Sequence, residues 1–528
     1  MRNKYLLLPA LFLAYLLPAQ SPNQAPLISN LNVAADWANN TLTITYDVSD
    51  AENDPLEISV AFSGDAGAHY DLTGMVPVSG DAGFPVMPGT NRSISCDISA
   101  LAGSPSAFTV VRLVADDKQP FDLQQIVDQV DSNRLRDDLL FVEGIRHRTT
   151  GLAHLNAVRD SLVSHFLQLG LVKQEFTFPY GAAIGKNIVG TLPGTGTAEK
   201  VVIVDAHYDT VDDAPGADDN GSGVVGFMEI SRLLSRYPAK KTLRFIGFDM
   251  EEDGLRGSLD YISNDFPAGE QLEGMFNFEM IGYYTDQPNT QEVPGGFNTY
   301  FPDATAQIAA DEYRGNFITN VANSTCAPLA LLFNNAAAQY VPDLKVITLI
   351  APGNGTLFTD LLRSDHAPFW FVGKPALMLT DGADFRNDCY HTPQDMAAGK
   401  LNFTFMSNVT KATLAAAAQL AEIQHGDWAV ASFAGTVNTW EAPDCSLSVR
   451  VADNQADLLQ ISLAACTFTE AQVEILDEKG SLVYTESLTT GGDGQYYELS
   501  LRQLPAGIYF AKISWPEGRR TKKFIVSR

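Results

Sequence analysis

The chain is predicted to be multidomain: a central α/β domain with a mixed sheet, flanked by N-terminal and C-terminal β-sandwich domains. Three observations predict this. At 528 residues the chain exceeds one ordinary domain, since ~100–200 residues per domain is usual. Between about 26 and 120, short alternating runs such as Leu42-Thr43-Ile44-Thr45-Tyr46-Asp47-Val48 and Leu56-Glu57-Ile58-Ser59-Val60 are separated by turns rich in Asn, Asp and Gly, which is the pattern of a β-sandwich. From 121 to 425 strand-like and helix-like runs alternate, as in a sheet covered on both faces, and from about 440 to 528 short strands return.

The elements follow in order. Arg2 and Lys4 precede the almost entirely apolar stretch Leu6 to Leu17, and Pro18-Ala19-Gln20 follows. Residues 1–19 therefore read as a signal peptide, too short for a membrane span, and no later run is long and apolar enough for one. A linker near Asp116 to Asp122 leads into the α/β domain, where Leu155, Val158, Leu162, Phe166 and Leu169 sit at helical spacing. Its last helix is expected over Asn402 to Ile423. Strands are expected again at Ser446 to Val451, Gln472 to Ile475 and Leu482 to Tyr484.

Thirty-five basic against 63 acidic residues give a formal charge of −28. Nucleic acid and anionic membrane surfaces attract positive proteins, so neither is an expected partner. The five cysteines, Cys96, Cys326, Cys389, Cys445 and Cys466, are too sparse for a disulfide scaffold and lack zinc–thiolate spacing. Cys445 with Cys466 is the leading candidate pair, and Cys326 with Cys389 a weaker one.

Six residues carry the chemistry. His207 follows the apolar run Val201 to Val204, so its imidazole should emerge at the C-terminal edge of a buried strand, where open α/β sheets place their ligands. Asp219 lies in Gly216-Ala217-Asp218-Asp219-Asn220-Gly221-Ser222-Gly223, a turn into a helix-periodic stretch. The run Leu243 to Phe248 delivers Asp249-Met250-Glu251-Glu252, the run Met275 to Phe278 delivers Glu279, and His391 stands in Tyr390-His391-Thr392-Pro393. Catalytic zinc takes imidazole nitrogen and carboxylate oxygen and keeps a position open. Two such ions about 3.5–4 Å apart can share one carboxylate and polarise a carbonyl together. One bridging Asp, two terminal carboxylates and two histidines supply that set. Adjacent residues at a strand end point different ways, so one member of Glu251-Glu252 can bind metal while the other acts as a general base.

These segments, in this order and with Ser364-Asp365-His366-Ala367-Pro368-Phe369 between them, resemble the co-catalytic zinc aminopeptidase family, whose relatives include glutamate carboxypeptidases and glutaminyl cyclases. The resemblance covers roughly Gln124 to Gln424. It implies two zinc ions, with Asp219 bridging, His207 and Glu279 completing one site, and Glu252 and His391 the other. It further implies Glu251 as the base that takes a proton from a metal-bridging water, Asp209 orienting His207, Tyr390 donating to the substrate carbonyl oxygen, and a cis peptide between Asp219 and Asn220. At 279 the family normally has Asp. The glutamate here is one methylene longer. Asp365 and His366 are expected to fix a loop by hydrogen bonds, and His69, His147, His154, His165 and His425 to be structural or exposed.

Both flanking regions also show resemblances. Residues 26–120 resemble fibronectin type III-like or immunoglobulin-like modules of secreted bacterial enzymes. Leu504-Pro505-Ala506-Gly507-Ile508-Tyr509-Phe510, followed by Lys522 to Val526, resembles the C-terminal sorting domain of the type IX secretion system, although Glu441-Ala442-Pro443-Asp444 replaces the usual Pro-Asn-Pro start. The resulting expectation is a secreted or cell-surface di-zinc aminopeptidase acting on peptide or protein N-termini and exported by type IX machinery. The alternatives are a carboxypeptidase or a glutaminyl cyclase of the same family, or a catalytically silent binding protein on the peptidase fold. Asn220-Gly221-Ser222-Gly223 after Asp219 favours the two-metal peptidases over the cyclase, and retention of both histidines with Glu251-Glu252 argues against silence.

Overall fold

The computed structural model describes residues 23–432 apart from Ala66, 102–109 and Phe121, and past 432 the strand residues between 446 and 526 together with Leu504. The expected signal peptide and the Cys445–Cys466 pair lie outside the described residues.

The first strands are β1 (Leu27–Asp36), β2 (Thr41–Ser49), β3 (Leu56–Ser63), β4 (Val78–Gly80), β5 (Gly83–Val86), β6 (Gly89–Asp97) and β7 (Val110–Asp116). The central domain contributes β8 (Val172–Tyr180), β9 (Ala183–Leu192), β10 (Lys200–His207), β11 (Thr242–Phe248), β12 (Gln271–Glu279), β13 (Ile318–Asn323), β14 (Val346–Ala351) and β15 (Ala376–Thr380), and β16 (Gly426–Ser432) follows it. Alternating side chains on β2 bury Leu42, Ile44, Tyr46 and Val48, as a period of two requires when one face meets a core. The sheets β1-β2-β6-β4 and β16-β7-β3-β5 share that core.

β16 lies just past the central domain expected at 121–425. It pairs antiparallel with β7 from Gly426↔Asp116 to Ser432↔Val110, so the chain leaves the central domain only to return to the N-terminal one.

The central sheet has the order β14-β13-β15-β12-β10-β11-β9-β8. It is mixed: β10 runs parallel to both β11 and β12, whereas β9 is antiparallel to β11 and β13 to β15. Strands β10, β11 and β12 are buried nearly throughout because helices cover both faces. On one face His366–Phe371 packs through Phe369 against Phe248, and on the other lie Leu152–Gln168, Gly223–Leu234 and Phe403–Ala421. The last is capped by Asn402, whose side chain accepts the backbone N–H groups of Thr404 and Phe405, the usual satisfaction of free helix-start donors. From β10 the chain moves to β11 on one side and then to β12 on the other, which makes a crevice beyond their carboxyl ends.

Among the described residues no helix is long and apolar enough to cross a membrane. Cys96, Cys326 and Cys389 are buried free thiols, so the weaker expected pair, Cys326 with Cys389, is not formed. Cys326 caps the helix Ala327–Tyr340 inside the core, and Cys389 sits in the turn before Tyr390. Past 432, β17 (Ser446–Ala452), β18 (Gln455–Ala464), β19 (Glu470–Leu476), β20 (Leu482–Thr489), β21 (Gln495–Ser500), β22 (Gly507–Trp515) and β23 (Gly518–Val526) form the sheets β17-β18-β21 and β20-β19-β22-β23. This unit spans residues 435–528 by its internal contacts.

Candidate metal centre

Strand register sets the site. β10 and β12 pair Asp205 with Asn277, two residues before His207 and Glu279, which are each the last residue of its strand. His207 also pairs with Phe248 at the end of β11, so Glu251 and Glu252 arrive on the turn just beyond. Asp219 comes from the buried turn ahead of the helix Gly223–Leu234.

Asp219 stands between two imidazoles. Its Oδ1 lies 3.3 Å from His207 Nε2 and its Oδ2 3.1 Å from His391 Nε2. Around His207 Nε2, Glu279 Oε2 is at 3.5 Å and Glu251 Oε2 at 4.0 Å. Glu252 Oε2 is 3.1 Å from His391 Nε2. Two groups of donors result, His207 with Glu251 and Glu279, and Asp219 with Glu252 and His391, and each is compact enough to hold a metal ion. Among the described residues the same buried nitrogens, His207 Nε2 and His391 Nε2, and Glu252 Oε1 have no hydrogen-bond partner. Orphaned buried polar atoms are rare and call for an explanation such as a bound ion. A divalent cation supplies it, because unpaired nitrogen and carboxylate oxygen are zinc's ligand atoms.

The electrostatics agree. Burial disfavours the His207 imidazolium, yet Glu251, Asp209, Asp219 and Glu279 hold its pKa well above the ordinary value. Burial pushes Glu252 up to about 7, with Asp219 adding repulsion. Burial also drives Glu251 well above the usual carboxylate range, with Glu279, Glu252 and Asp365 adding to it against the pull of His207. So many carboxylates in one dry cavity repel one another unless cations share the space.

Asp209 does more than face His207. It stands 3.5 Å from His207 Nδ1, and its two oxygens accept the backbone N–H groups of Glu251 at 3.0 Å and Glu252 at 3.2 Å. Glu279 fits with its extra methylene, since the Ser364 hydroxyl donates to its Oε2 at 2.7 Å. The Tyr390 ring stacks on the His391 ring at 3.8 Å between centroids. Met250, Met280 and His391 all have left-handed backbone, with φ of 54°, 56° and 54°. Such sparsely populated conformations persist where surroundings enforce them and cluster at functional sites. The Asp219–Asn220 peptide is cis, as the resemblance implied.

Sequence reasoning missed several supports. Asp395 accepts the backbone N–H groups of Asp218 at 2.9 Å and Asp219 at 3.0 Å. The fully buried Arg146 donates to the carbonyls of Val142, Gly144, Tyr208, Pro215 and Gly216, tying down the loop between His207 and Asp219. Asn220 donates to the Phe278 carbonyl and accepts the Met280 N–H, which links the Asp219 turn to the end of β12. Of the pair expected to fix a loop, His366 does so through Leu361 O at 3.0 Å. Asp365 differs: among the described residues neither of its buried oxygens takes a well-formed hydrogen bond, and burial raises its carboxyl to about 7 against the pull of His207 and Ser258. His154 and His165 hydrogen-bond the carbonyls of Val142 and Met228, as structural histidines do.

A cavity of about 90 Å³ opens beside Glu279 and Tyr390, walled by Phe297, Ile308, Phe317, Val321, Leu349 and Met378. Its apolar walls and few polar rim groups are those of a small-ligand pocket.

A mixed α/β sheet, with two groups of three possible metal donors gathered beyond its strand ends, defines the class of this protein. Residues 187–417 match peptidase family M28, and the chain belongs to that family. Residues 455–527 match the secretion system C-terminal sorting domain. The chain is 30% identical over 272 residues to the uncharacterized protein YfbL of Escherichia coli (strain K12), covering 48% of this chain and 77% of that one. It is 45% identical over 85 residues to the aminopeptidase YwaD of Bacillus subtilis (strain 168), covering 16% of this chain and 18% of that one. Among solved structures it is similar to BSAP, a zinc aminopeptidase from Bacillus subtilis, at 23% identity and a TM-score of 0.36, covering 46% of this chain and 52% of that one. The chain thus spans about half of that structure and a fifth of YwaD.

Proposed function

We propose that the protein is an exported two-zinc exopeptidase, an aminopeptidase that removes N-terminal residues from peptides. The observation that carries this reading is Asp219, with one carboxylate oxygen facing each histidine at 3.3 and 3.1 Å. His207 and Glu279 would hold one ion and Glu252 and His391 the other, with Asp219 offering an oxygen to each. Mixed imidazole and carboxylate donors suit zinc. Bound zinc supplies Lewis acidity that polarises the scissile carbonyl.

The chain's own residues do the rest. Glu251 takes a proton from the attacking water and passes it to the leaving amine, the work of a general acid–base. Asp209 keeps Glu251 and Glu252 diverging by fixing both their backbone N–H groups. Tyr390 donates to the carbonyl oxygen, where such a donor stabilises developing charge. The cavity walled by Phe297, Phe317 and Met378 takes one side chain and shields it from water. The similarity to YwaD supports the aminopeptidase direction.

The sorting-domain match supports delivery to the surface or medium by type IX machinery. The flanking sheets are read as β-sandwich modules, the N-terminal one completed by β16. The test is hydrolysis by purified protein of peptides with free and blocked N-termini, of C-terminally varied peptides and of glutaminyl peptides, with metal analysis alongside. Cleavage restricted to free N-termini, lost with a chelator and restored by zinc at two ions per chain, is the expected result. Release of C-terminal residues, cyclisation of glutaminyl peptides, or activity without metal would overturn it.

A further inference from the structure

We propose that Arg363 is a positioning residue that aims the Tyr390 hydroxyl at the reacting carbonyl; this rests on the exopeptidase reading above. Arg363 donates from one terminal nitrogen to the Tyr390 phenol oxygen at 3.0 Å. Its other terminal nitrogen donates to both oxygens of Asp384, at 3.1 and 3.2 Å. The guanidinium carbon lies 5.5 Å from the centre of the Tyr390 ring. All three residues line the cavity beside Glu279.

A phenol carries one hydrogen and can accept as well as donate. Among the described residues the Tyr390 hydroxyl makes one hydrogen bond, and in it the oxygen accepts. The guanidinium has no acceptor lone pair, so it occupies one in-plane side of the oxygen and leaves the O–H to swing to the other. The ring itself has little freedom, being stacked on the His391 imidazole with 17° between planes. Position of the ring and direction of the O–H are therefore set by two different neighbours, His391 and Arg363. A charge-assisted donor on the oxygen also polarises the O–H and strengthens the bond it gives. Asp384 holds Arg363 so that its charge is not spent elsewhere on the rim.

The consequence is specific to the transition state. Charge on the substrate oxygen grows during attack, so a misdirected donor should lower kcat and leave KM nearly unchanged. Lysine has a point charge without the planar fork, so it can approach the phenol but cannot hold Asp384 and Tyr390 together in the same way.

The experiment is a double-mutant cycle on the zinc-loaded full chain, with free-N-terminus peptide as substrate and zinc content measured for every variant. Tyr390→Phe should lower kcat by about 10²-fold, the scale of a single oxyanion donor. Arg363→Ala should lower kcat by about 10-fold with KM within about twofold and zinc unchanged, and Arg363→Lys should recover part of the loss. In the Tyr390→Phe background, Arg363→Ala should add less than about a twofold loss, because the group it acts through is gone. An equal loss from Arg363→Ala in both backgrounds, unchanged kcat in Arg363→Ala, or a rise confined to KM would each overturn the inference. Those outcomes leave the exopeptidase reading standing. Absence of hydrolysis by the unaltered, zinc-loaded chain overturns that reading and this inference together.

Discussion

Asp209 and Glu251 are joined through the backbone: an oxygen of Asp209 accepts the Glu251 N–H at 3.0 Å, and its partner oxygen accepts the Glu252 N–H at 3.2 Å. The end of β10 therefore fixes the turn after β11. Removing the carboxylate strands two buried N–H donors and also takes a negative charge from beside His207 Nδ1. Asp209→Ala is expected to lower zinc affinity by about 10–100-fold, the range for residues that orient metal ligands, and to reduce thermal stability. Competition with a chelator of known affinity and a melting curve of the zinc-free protein measure the two effects separately. Unchanged zinc affinity would reduce Asp209 to a loop clamp.

Glu251 and Glu252 differ in what they face. Glu252 Oε2 is 3.1 Å from His391 Nε2, whereas Glu251 Oε2 stands back at 4.0 Å from His207 Nε2. Glu251→Gln keeps the shape and removes the proton acceptor. It is expected to lower kcat by at least about 10²-fold with two zinc ions still bound. Turnover close to the unaltered protein's would assign the base elsewhere. Loss of a zinc ion would make Glu251 a ligand.

Four of the six candidate site residues could be read from the sequence because they follow runs of apolar residues that must be buried strands, and a strand's end fixes where the side chains there emerge. His207 and Glu279 end their strands, and Glu251 and Glu252 come just beyond β11. Asp219 needed the glycine-rich turn, and His391 needed the resemblance, since no periodic run leads into it. Asp395 and Arg146 left no local trace, and Ser364 was visible only as the first residue of a motif, without its role. Each acts on a backbone or side chain 70 or more residues away in sequence at its farthest contact, and a lone Asp, Arg or Ser looks the same when solvated. The strand 426–432 was not read from the sequence, and its pairing with β7 could not have been, because a short alternating run names a buried face and not a neighbour.

Ser364 and Glu279 support a third prediction at the site. The hydroxyl donates at 2.7 Å to the oxygen of Glu279 nearest His207, which steadies a side chain one methylene longer than the family's usual Asp. Ser364→Ala should weaken the His207–Glu279 zinc ion by about 10-fold or more and leave the Glu252–His391 ion in place. Graded chelation followed by metal analysis should then show one zinc leaving well before the other. Loss of both together would mean that the two positions are not separable in this way.

The boundary between the central domain and the tail gives the last prediction. β16 supplies seven paired positions to the sheet β16-β7-β3-β5. Asp427 accepts the Ile28 N–H at 2.7 Å, and the Trp428 indole donates to the Ser235 carbonyl at 2.9 Å. A truncation at 425 strips these bonds and bares a row of unpaired groups along β7, which is both destabilising and an invitation to edge pairing with another chain. A truncation at 434 falls where the chain's contacts divide and keeps the strand. The shorter deletion is therefore expected to give a monodisperse protein with unchanged kcat/KM on small peptides, and the longer one a lower melting temperature and aggregation. In a host with type IX machinery, both truncations should lose surface delivery, because both lack residues 455–527 that match the sorting domain. Loss of hydrolysis by the folded, zinc-loaded 1–434 chain would place substrate contacts in the tail and sink the separation of export from catalysis.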